Sequence, residues 1–399
     1  MRFLLLALAS GACVPLAAQT VWTVTSPTGI PAAISAAQPG DVIDLRPNAS
    51  WVYFEPFTLT KGLVIRGNGS RVGYQPSFTQ FELVVRIPQG QVAVLDDLDL
   101  TSAYSPFGSG GTTVQINTGT VHIEDCALSR EDGPSLLVSN ASLTVSSSSI
   151  VARNELYGSN GAIVATNSHV TLRDCTVIGG NASCHAIDCG VSQNAACVAI
   201  RAADSTLHVE RCQITGGSHA TGAFSGVGAT AITLDGSTRA WIADSTATGG
   251  VSGGSRAPAI VNNSTSPVEL RNTQLVGGPP SAVGPITPNA PLLRMELQPL
   301  WQRGMTTTLT LHGDPSMPFA VWWTRHTAVS TVPAAVEPIW VLPTGLILLS
   351  GVLDAAGSAV LPIAVPNATA LEHVPVFLQA SSGATLPLRL STLAGGVIR

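Results

Sequence analysis

Charged side chains are scarce in this chain of 399 residues. Asp, Glu, Lys and Arg make up 11% of it, less than half of the about 25% that is usual in globular proteins. Lys61 is the only lysine, and the net charge is -5. Binding to nucleic-acid phosphates requires clustered Lys and Arg, so the composition predicts no nucleic-acid partner.

Long apolar runs are also rare. The first 18 residues combine Arg2, an apolar stretch from Phe3 to Ala12, and the small pair Ala17 and Ala18, which is typical of a signal peptide. No later apolar run reaches the roughly 20 residues that a membrane-spanning helix requires. The sequence therefore predicts an exported protein, secreted or at the cell surface, without a transmembrane segment.

Six cysteines follow the predicted signal peptide, and they form two groups. Cys126, Cys175 and Cys212 occupy one position of a repeat and are predicted to be buried thiols. The others, Cys184, Cys189 and Cys197, crowd a single insertion. We expect a disulfide from Cys184 to Cys189 or Cys197, because an exported loop without a core needs a covalent link; with His185, the three cysteines are alternatively a zinc-ligand set.

An internal repeat is the strongest pattern in the sequence. Five copies begin at Val121, Val170, Leu207, Ala240 and Val268, and weaker copies begin at Leu63, Val92 and Leu143. Successive copies lie 22 to 37 residues apart, which is typical of solenoid repeats. Within a copy the apolar residues alternate, skip two residues, and alternate again, and a further short strand such as AIVAT lies upstream. Three short strands per repeat predict an all-β fold, a right-handed parallel β-helix of about eight rungs, over residues 19–285.

The start of this region predicts a short amphipathic helix over Ser26–Ala37, which ends before Pro39-Gly40 and covers the open end of the coil. With the opening PAAISAAQPGDVIDL and the V-x-L-x-D-C-x-V-x-G-G copies, the chain resembles the pectate-lyase-like family of right-handed β-helix proteins. That resemblance implies the fold and says almost nothing about the chemistry. It does not imply one reaction, because the fold carries lyases, hydrolases, epimerases and adhesins.

The repeat disappears near residue 285. Runs of 6 to 9 residues separated by Gly, Pro, Asn and Ser predict a small antiparallel β-sandwich over residues 286–399. This region contains Trp301, Trp322, Trp323 and Trp340. A tryptophan in a small sandwich belongs to the core in one interpretation and stacks on a sugar ring in the other.

The resemblance implies that catalytic residues project outward from the AI-type strands. Of the residues at those positions, only Arg201 and Asp235 are candidates for catalysis. Hydrolysis of a glycosidic bond needs two carboxylates, and lysis needs a base together with cations. One Arg and one Asp supply neither set, and the sequence patterns of pectate lyases and polygalacturonases are absent. A surface ion pair is the alternative interpretation of this pair.

Acidic residues crowd the early rungs. Asp96 and Asp125 are predicted at one corner position of adjacent rungs, and Asp97, Asp99 and Glu124 lie near them. Such a group of oxygen ligands is a candidate Ca²⁺ site, and a solvated acidic patch is the alternative. In later rungs Asp174, Arg211 and Asp244 alternate in charge at the same corner, which predicts ion pairs between rungs.

A second group combines an aromatic ring with polar side chains on an outward column of the V-x-L strands. It consists of His208, Arg239, Trp241, Glu269 and Arg271. A tryptophan ring stacks on a sugar while polar neighbours bind its hydroxyls, so these residues form a candidate carbohydrate platform. The alternative is a sheet that a loop or neighbouring segment covers.

These patterns together predict a non-catalytic β-helix protein, structural or polysaccharide-binding, whose partner is an extracellular polysaccharide or cell-surface matrix. No cofactor is required, although Ca²⁺ fits the acidic group. The alternative function is a polysaccharide lyase or glycoside hydrolase with an atypical active site.

Overall fold

A computed structural model describes residues 19–47, 53, 55–73, 83–102, 112–130, 133–152, 161–181, 196–219, 228–288, 293–297, 301–324, 327–330, 335, 339–341, 346–371, 374–391 and 394–399. Contacts between Cα atoms divide the chain into two compact units. One contains residues 22–39 and 43–290, and the other includes residues 291–399.

The first unit is a coil of parallel strands with three faces, named here in the order in which each rung visits them. Face 1 contains the AI-type strands Phe57–Leu59, Leu83–Arg86, the start of Val114–Glu124, Leu136–Ser139, Ile163–Thr166, Ile200–Ala203, Ile232–Asp235, Ile260–Asn262 and Ala282–Val283.

Face 2 contains Val42–Leu45, the starts of Val64–Val72 and Val92–Ser102, the end of Val114–Glu124, and then Ala141–Ser146, His169–Arg173, Thr206–Glu210, Arg239–Ala243, Val268–Arg271 and Ile286–Thr287; Val21–Val24 pairs with its first strand. Face 3 contains the ends of Val64–Val72 and Val92–Ser102, and then Ala127–Arg130, Ser149–Ala152, Thr176–Ile178, Gln213–Thr215, Thr246–Thr248 and Gln274–Val276. The described residues form eight complete rungs, so the predicted parallel β-helix is confirmed.

The last parallel strands, Ala282–Val283 and Ile286–Thr287, begin a ninth rung, just past the boundary predicted at residue 285. The corners differ in length. Residues 174–175 alone join face 2 to face 3 in the central rung, whereas the connections from face 3 to the next strand of face 1 range from residues 131–135 to residues 179–199. A short hairpin, Val251–Ser252 with Ser255–Arg256, lies in one of these connections.

Both tight corners use the left-handed backbone conformation. Between faces 2 and 3, φ is positive at Asn68, Asp97, Asp125, Ser147, Asp174, Arg211, Asp244 and Asn272, and between faces 1 and 2 it is positive at Asn140, Asn167, Asp204 and Gly236. Asn, Asp and Gly tolerate this conformation better than other residues do, which explains their recurrence in the repeat.

One predicted position is wrong by a residue. We expected Asp96 at the corner occupied by Asp125, but Asp96 pairs with Glu124, and Asp97 is the residue with a positive φ. Two adjacent aspartates allow both alignments of the sequence. Only the main-chain register distinguishes them.

Small polar side chains inside the corner between faces 2 and 3 satisfy main-chain groups. Ser148 Oγ donates to Ser146 O at 2.7 Å and accepts from Cys126 N at 3.0 Å, and Ser245 Oγ repeats this arrangement with Ala243 O at 2.6 Å and Cys212 N at 3.0 Å. The corner between faces 1 and 2 has the same ladder at Ser168, Ser205 and Thr238. Buried main-chain groups at both corners are thereby paired.

Thiols take the same places as these hydroxyls. Cys212 Sγ accepts the Cys175 N–H at 3.4 Å and donates to Glu210 O at 3.2 Å. Cys126, Cys175 and Cys212 are buried and are not in disulfides, which confirms the prediction for this group. Burial raises the pKa of Cys126 and of Cys212, so these two thiols stay protonated.

The Gly-Gly pairs of the last four copies of the repeat lie at the third corner, where main chains of successive rungs touch. A Cβ on Gly217 would lie 1.9 Å from Gly180 O, and one on Gly250 would lie 1.8 Å from Gly217 O. No side chain fits between these rungs. Close stacking of backbone therefore explains why glycine recurs here.

A helix at Ile30–Ala36 confirms the predicted cap, although it is shorter than Ser26–Ala37 because residues 26–29 form a turn closed by Gly29 N and Ser26 O. Ile30 and Ile34 are buried in the core of the coil. The only lysine, Lys61, donates to Ala37 O at 2.5 Å and so satisfies a carbonyl at the helix C-terminus. No helix among the described residues is long and apolar enough to cross a membrane.

The second unit consists of small antiparallel sheets. One contains Arg294–Leu297, Thr306–His312 and Ser358–Ala364, and another contains Leu346–Val352, Pro318–Thr324, Pro375–Ser382, Arg389–Leu390 and Ala394–Val397. Thr327–Ser330 pairs with Ile339–Val341, and Thr369–Leu371 is a 3-10 turn. Leu309 and Leu311 of the first sheet share a core with Val321 and Leu378 of the second. The predicted antiparallel sandwich is confirmed.

Candidate functional site

Arg201 and Asp235 lie on neighbouring strands of face 1 and contact each other. Arg201 Nε is 3.3 Å from Asp235 Oδ2, and the side chains are 47% and 28% exposed. Asn263, on the next rung, donates from Nδ2 to Asp235 Oδ1 at 3.0 Å. The structure therefore brings the predicted pair together and adds Asn263, which the sequence places after an AI-type strand but which carries no charge to attract notice.

The rest of the outer surface of face 1 is nearly uncharged. Its described outward positions are Thr58, Val84, Arg86, Gln115, Asn117, Leu137, Ser139, Val164, Thr166, Arg201, Ala203, Thr233, Asp235, Val261, Asn263 and Val283. Asp235 is the single carboxylate among them. Glycoside hydrolysis by two carboxylates thus has no second acid at these positions.

The face 2 group is placed differently from the prediction. Trp241 is 5% exposed and His208 is 1% exposed, and their rings stack with centroids 4.6 Å apart. Arg239 is exposed, whereas Glu269 and Arg271 are partly buried. The expectation of an exposed Trp241 platform is wrong. This outer surface of the sheet is covered, which was the alternative to a carbohydrate platform. Regular alternation along a strand does not reveal whether its outer surface faces water.

Burial controls the charge of this surface. It lowers the pKa of His208 to about 3, with a further contribution from the nearby His169, and it also lowers the pKa of His169. The imidazole of His208 is therefore neutral near pH 7. His122, with no exposed side-chain surface, has Nε2 3.2 Å from Glu124 Oε2.

The five acidic residues proposed for Ca²⁺ do not converge. Asp99 contacts Arg71 at 3.4 Å and accepts from Thr101 Oγ1 at 2.7 Å, while Glu124 contacts His122. Asp96 is 2% exposed, and Asp97 and Asp125 occupy the corner. Within the described ranges, no group of three or more His, Cys, Asp or Glu side chains is placed to hold a metal ion.

The later corner positions form the predicted ion pairs in part. Arg211 binds Asp174 with Nε to Oδ1 and Nη2 to Oδ2, both at 2.7 Å, and also contacts Glu210. Asp244 accepts from Asn272 Nδ2 at 2.7 Å. The contact of Arg211 with Asp174 links neighbouring rungs and stabilises an arginine in the left-handed conformation.

The predicted disulfide loop is described only at one cysteine. Cys197 is a buried thiol rather than half of a disulfide, so a bond from Cys184 to Cys197 is wrong. Cys184, Cys189 and His185 lie outside the described residues. The insertion pattern indicated a covalent link. It could not show that Cys197 is already buried just before face 1, where its amide donates to Gly180 O.

Comparison with known proteins adds no family to this description. No model of a protein family matches the chain, and no curated protein matches its sequence. The parallel coil agrees with the fold that the pectate-lyase-like resemblance implies, while membership of that family stays a prediction.

Proposed function

We propose that this chain is a non-catalytic, secreted or surface-bound β-helix protein that binds an extracellular polysaccharide along face 1. The observation that supports the proposal is the exposed group of Arg201, Asp235 and Asn263 on an otherwise nearly uncharged surface. Planar guanidinium, carboxylate and amide groups are suited to binding sugar hydroxyls and carboxylates.

The repeat of the coil suits an extended ligand. Arg201, Asp235 and Asn263 belong to three successive rungs, which are separated by about 4.8 Å in a parallel sheet. A polysaccharide that runs along the coil axis therefore meets one rung after another. Gln115 and Asn117, joined by a side-chain hydrogen bond of 2.9 Å, offer further polar contacts on the same face.

The contacts of Asp235 favour binding over catalysis. One carboxylate oxygen faces Arg201 and the other accepts from Asn263, and face 1 offers no second carboxylate at its described outward positions. An acid, base or nucleophile in glycan cleavage has to reach the scissile bond. Asp235 is instead held by two neighbours within the sheet.

Polysaccharide cleavage is the second candidate function. It is favoured by the position of Arg201 and Asp235 on the face from which the family resemblance implies that catalytic residues project. Lysis of a uronate polymer needs a base that removes a proton and cations that stabilise the resulting charge. Asp235 and Arg201 supply one group of each kind.

Electrophoresis of the mature chain through gels containing acidic or neutral polysaccharides tests binding. We expect retardation by an acidic polymer such as polygalacturonate, and weaker retardation of Arg201→Ala. Arg239→Ala, at an exposed position of face 2 rather than face 1, is the matched control and should migrate like the wild type. Equal retardation of wild type and Arg201→Ala would remove face 1 as the binding surface. Release of unsaturated or reducing ends by the wild type, lost in Asp235→Ala, would establish the enzyme instead.

A further inference from the structure

Trp322 lies on the outer surface of the sandwich rather than in its core. Its strand, Pro318–Thr324, directs Val321 and Trp323 into the core of the second unit. Trp322 is partly exposed and is not among the residues of that core. Because successive side chains of a strand point to opposite sides, Trp322 faces away from the core that Val321 and Trp323 contact.

The indole is held in one orientation. Trp322 Nε1 donates to Ser381 Oγ at 3.1 Å, and Ser381 in turn donates to Ala320 O at 3.4 Å. Ser381 is only 6% exposed, so the hydrogen bond that fixes the ring is sheltered from water. A ring fixed in advance loses little conformational entropy when a ligand stacks on it.

On one flanking strand the neighbours of Trp322 are exposed and uncharged, whereas on the other strand its partner Gln379 is buried, as is Ser381. Ile347 pairs with Trp322 across the sheet and is 53% exposed, and Val352 pairs with Pro318 and is 63% exposed. Between them, Ala320 pairs with Ser350, which is also exposed. The exposed part of this surface therefore consists of three cross-strand pairs, with one hydroxyl side chain and, among the described residues of these pairs, no charged group.

The size of this surface limits what it binds. Two strands about 4.8 Å apart and five residues long, at about 3.4 Å per residue, cover on the order of 150 to 250 Å². A stable protein interface buries about 800 Å² on each partner. The surface is too small for a second copy of the chain or another protein domain, but it matches one or two sugar rings. The absence of charge selects an uncharged sugar.

We propose that Trp322 is the stacking platform of a second saccharide site, which takes neutral sugar rings of a polysaccharide. The apolar face of a sugar ring lies against the indole, Ile347 and Val352 border it, and Ser350 provides a hydroxyl contact. The inference shares with the proposed function only the class of ligand. It uses a different unit, different residues and an uncharged rather than an acidic polymer.

Electrophoresis of the full mature chain through gels containing galactomannan, xyloglucan or mixed-linkage β-glucan tests this site. We expect at least one of these polymers to retard the wild type, Trp322→Ala to lower the affinity about tenfold, and Trp322→Phe to keep part of it. Val360→Ala, at a 67% exposed position of the other sheet, is the matched control and should bind like the wild type. Arg201→Ala should also bind these neutral polymers normally, which separates this site from face 1.

A second variant distinguishes loss of binding from loss of folding. Ile347→Arg places a long charged side chain beside the indole at an exposed position, and we expect it to abolish retardation while leaving the thermal unfolding midpoint near that of the wild type. Retardation of Trp322→Ala equal to the wild type, or no retardation of the wild type by any neutral polymer, would overturn the proposal. A change in oligomeric state on Trp322→Ala, seen by size-exclusion chromatography, would also overturn it by making the surface a contact between copies.

Discussion

Replacing Gly217 by alanine tests the stacking of main chains at the third corner. The new methyl carbon would lie 1.9 Å from Gly180 O, whereas ordinary contact begins at 3.4 Å, so the two rungs would have to separate by up to 1.5 Å. The atom it strikes is a carbonyl oxygen of the backbone. It cannot move aside as the end of a flexible side chain can.

The magnitude follows from the bonds at this corner. Gly180 O accepts from Cys197 N at 2.8 Å, and Gly217 N donates to Cys197 O at 2.9 Å. Separation of the rungs weakens both hydrogen bonds, at about 1 kcal/mol each, and overpacking adds about 1 to 3 kcal/mol. We therefore expect Gly217→Ala to lower the free energy of unfolding by about 3 to 5 kcal/mol.

Thermal unfolding of the chain, followed by circular dichroism, measures this loss, and hydrogen exchange at the Cys197 amide locates it. Gly253→Asn is the control, because Gly253 has φ of 55° and open space around it, which asparagine tolerates. The reasoning fails if the midpoint of Gly217→Ala equals that of the wild type, or if the Cys197 amide stays as protected as before.

Two further predictions concern single side chains. Because the pKa of His208 is about 3 when folded and about 6.5 when unfolded, the unfolded state binds the extra proton between these values. Stability is therefore retained above pH 6.5 and falls on acidification toward pH 3, by up to about 1.4 kcal/mol per pH unit. His208→Phe should flatten this dependence in urea titrations at pH 7 and pH 5, and an unchanged slope would contradict it. Lys61→Met should lower the thermal midpoint by removing the bond to Ala37 O, about 1 kcal/mol. Arg239→Met, at an exposed position of face 2, is the control, and a midpoint of Lys61→Met equal to that of the wild type would contradict the capping role.

Repetition made the coil predictable from sequence, because the same alternation recurs in register at Val170, Leu207 and Ala240. The helix at Ile30–Ala36 was predictable for a similar local reason. The corner alignment of Asp96 was not, since only the hydrogen-bonded register distinguishes it from Asp97.

The candidate sites were harder to predict because exposure depends on the whole chain. Arg201 and Asp235 belong to neighbouring repeats, so their contact followed from alignment. Trp241 has the same local pattern as an exposed residue, yet its surface is covered. Trp322 and Trp323 are adjacent in sequence, so alternation along the strand puts only one of them against the core, and the inward position of Val321 decides that it is Trp323.

The unequal corners of the coil have a consequence for how such a chain can change. The connections from face 3 to face 1 differ in length, from the short segment of residues 131–135 to the long segment of residues 179–199. The strands on either side of them nevertheless keep their register. Evolution can therefore lengthen or exchange these segments one at a time without rebuilding the core. The same corner is the place to graft a foreign peptide, since the coil would carry it at a fixed height along its axis.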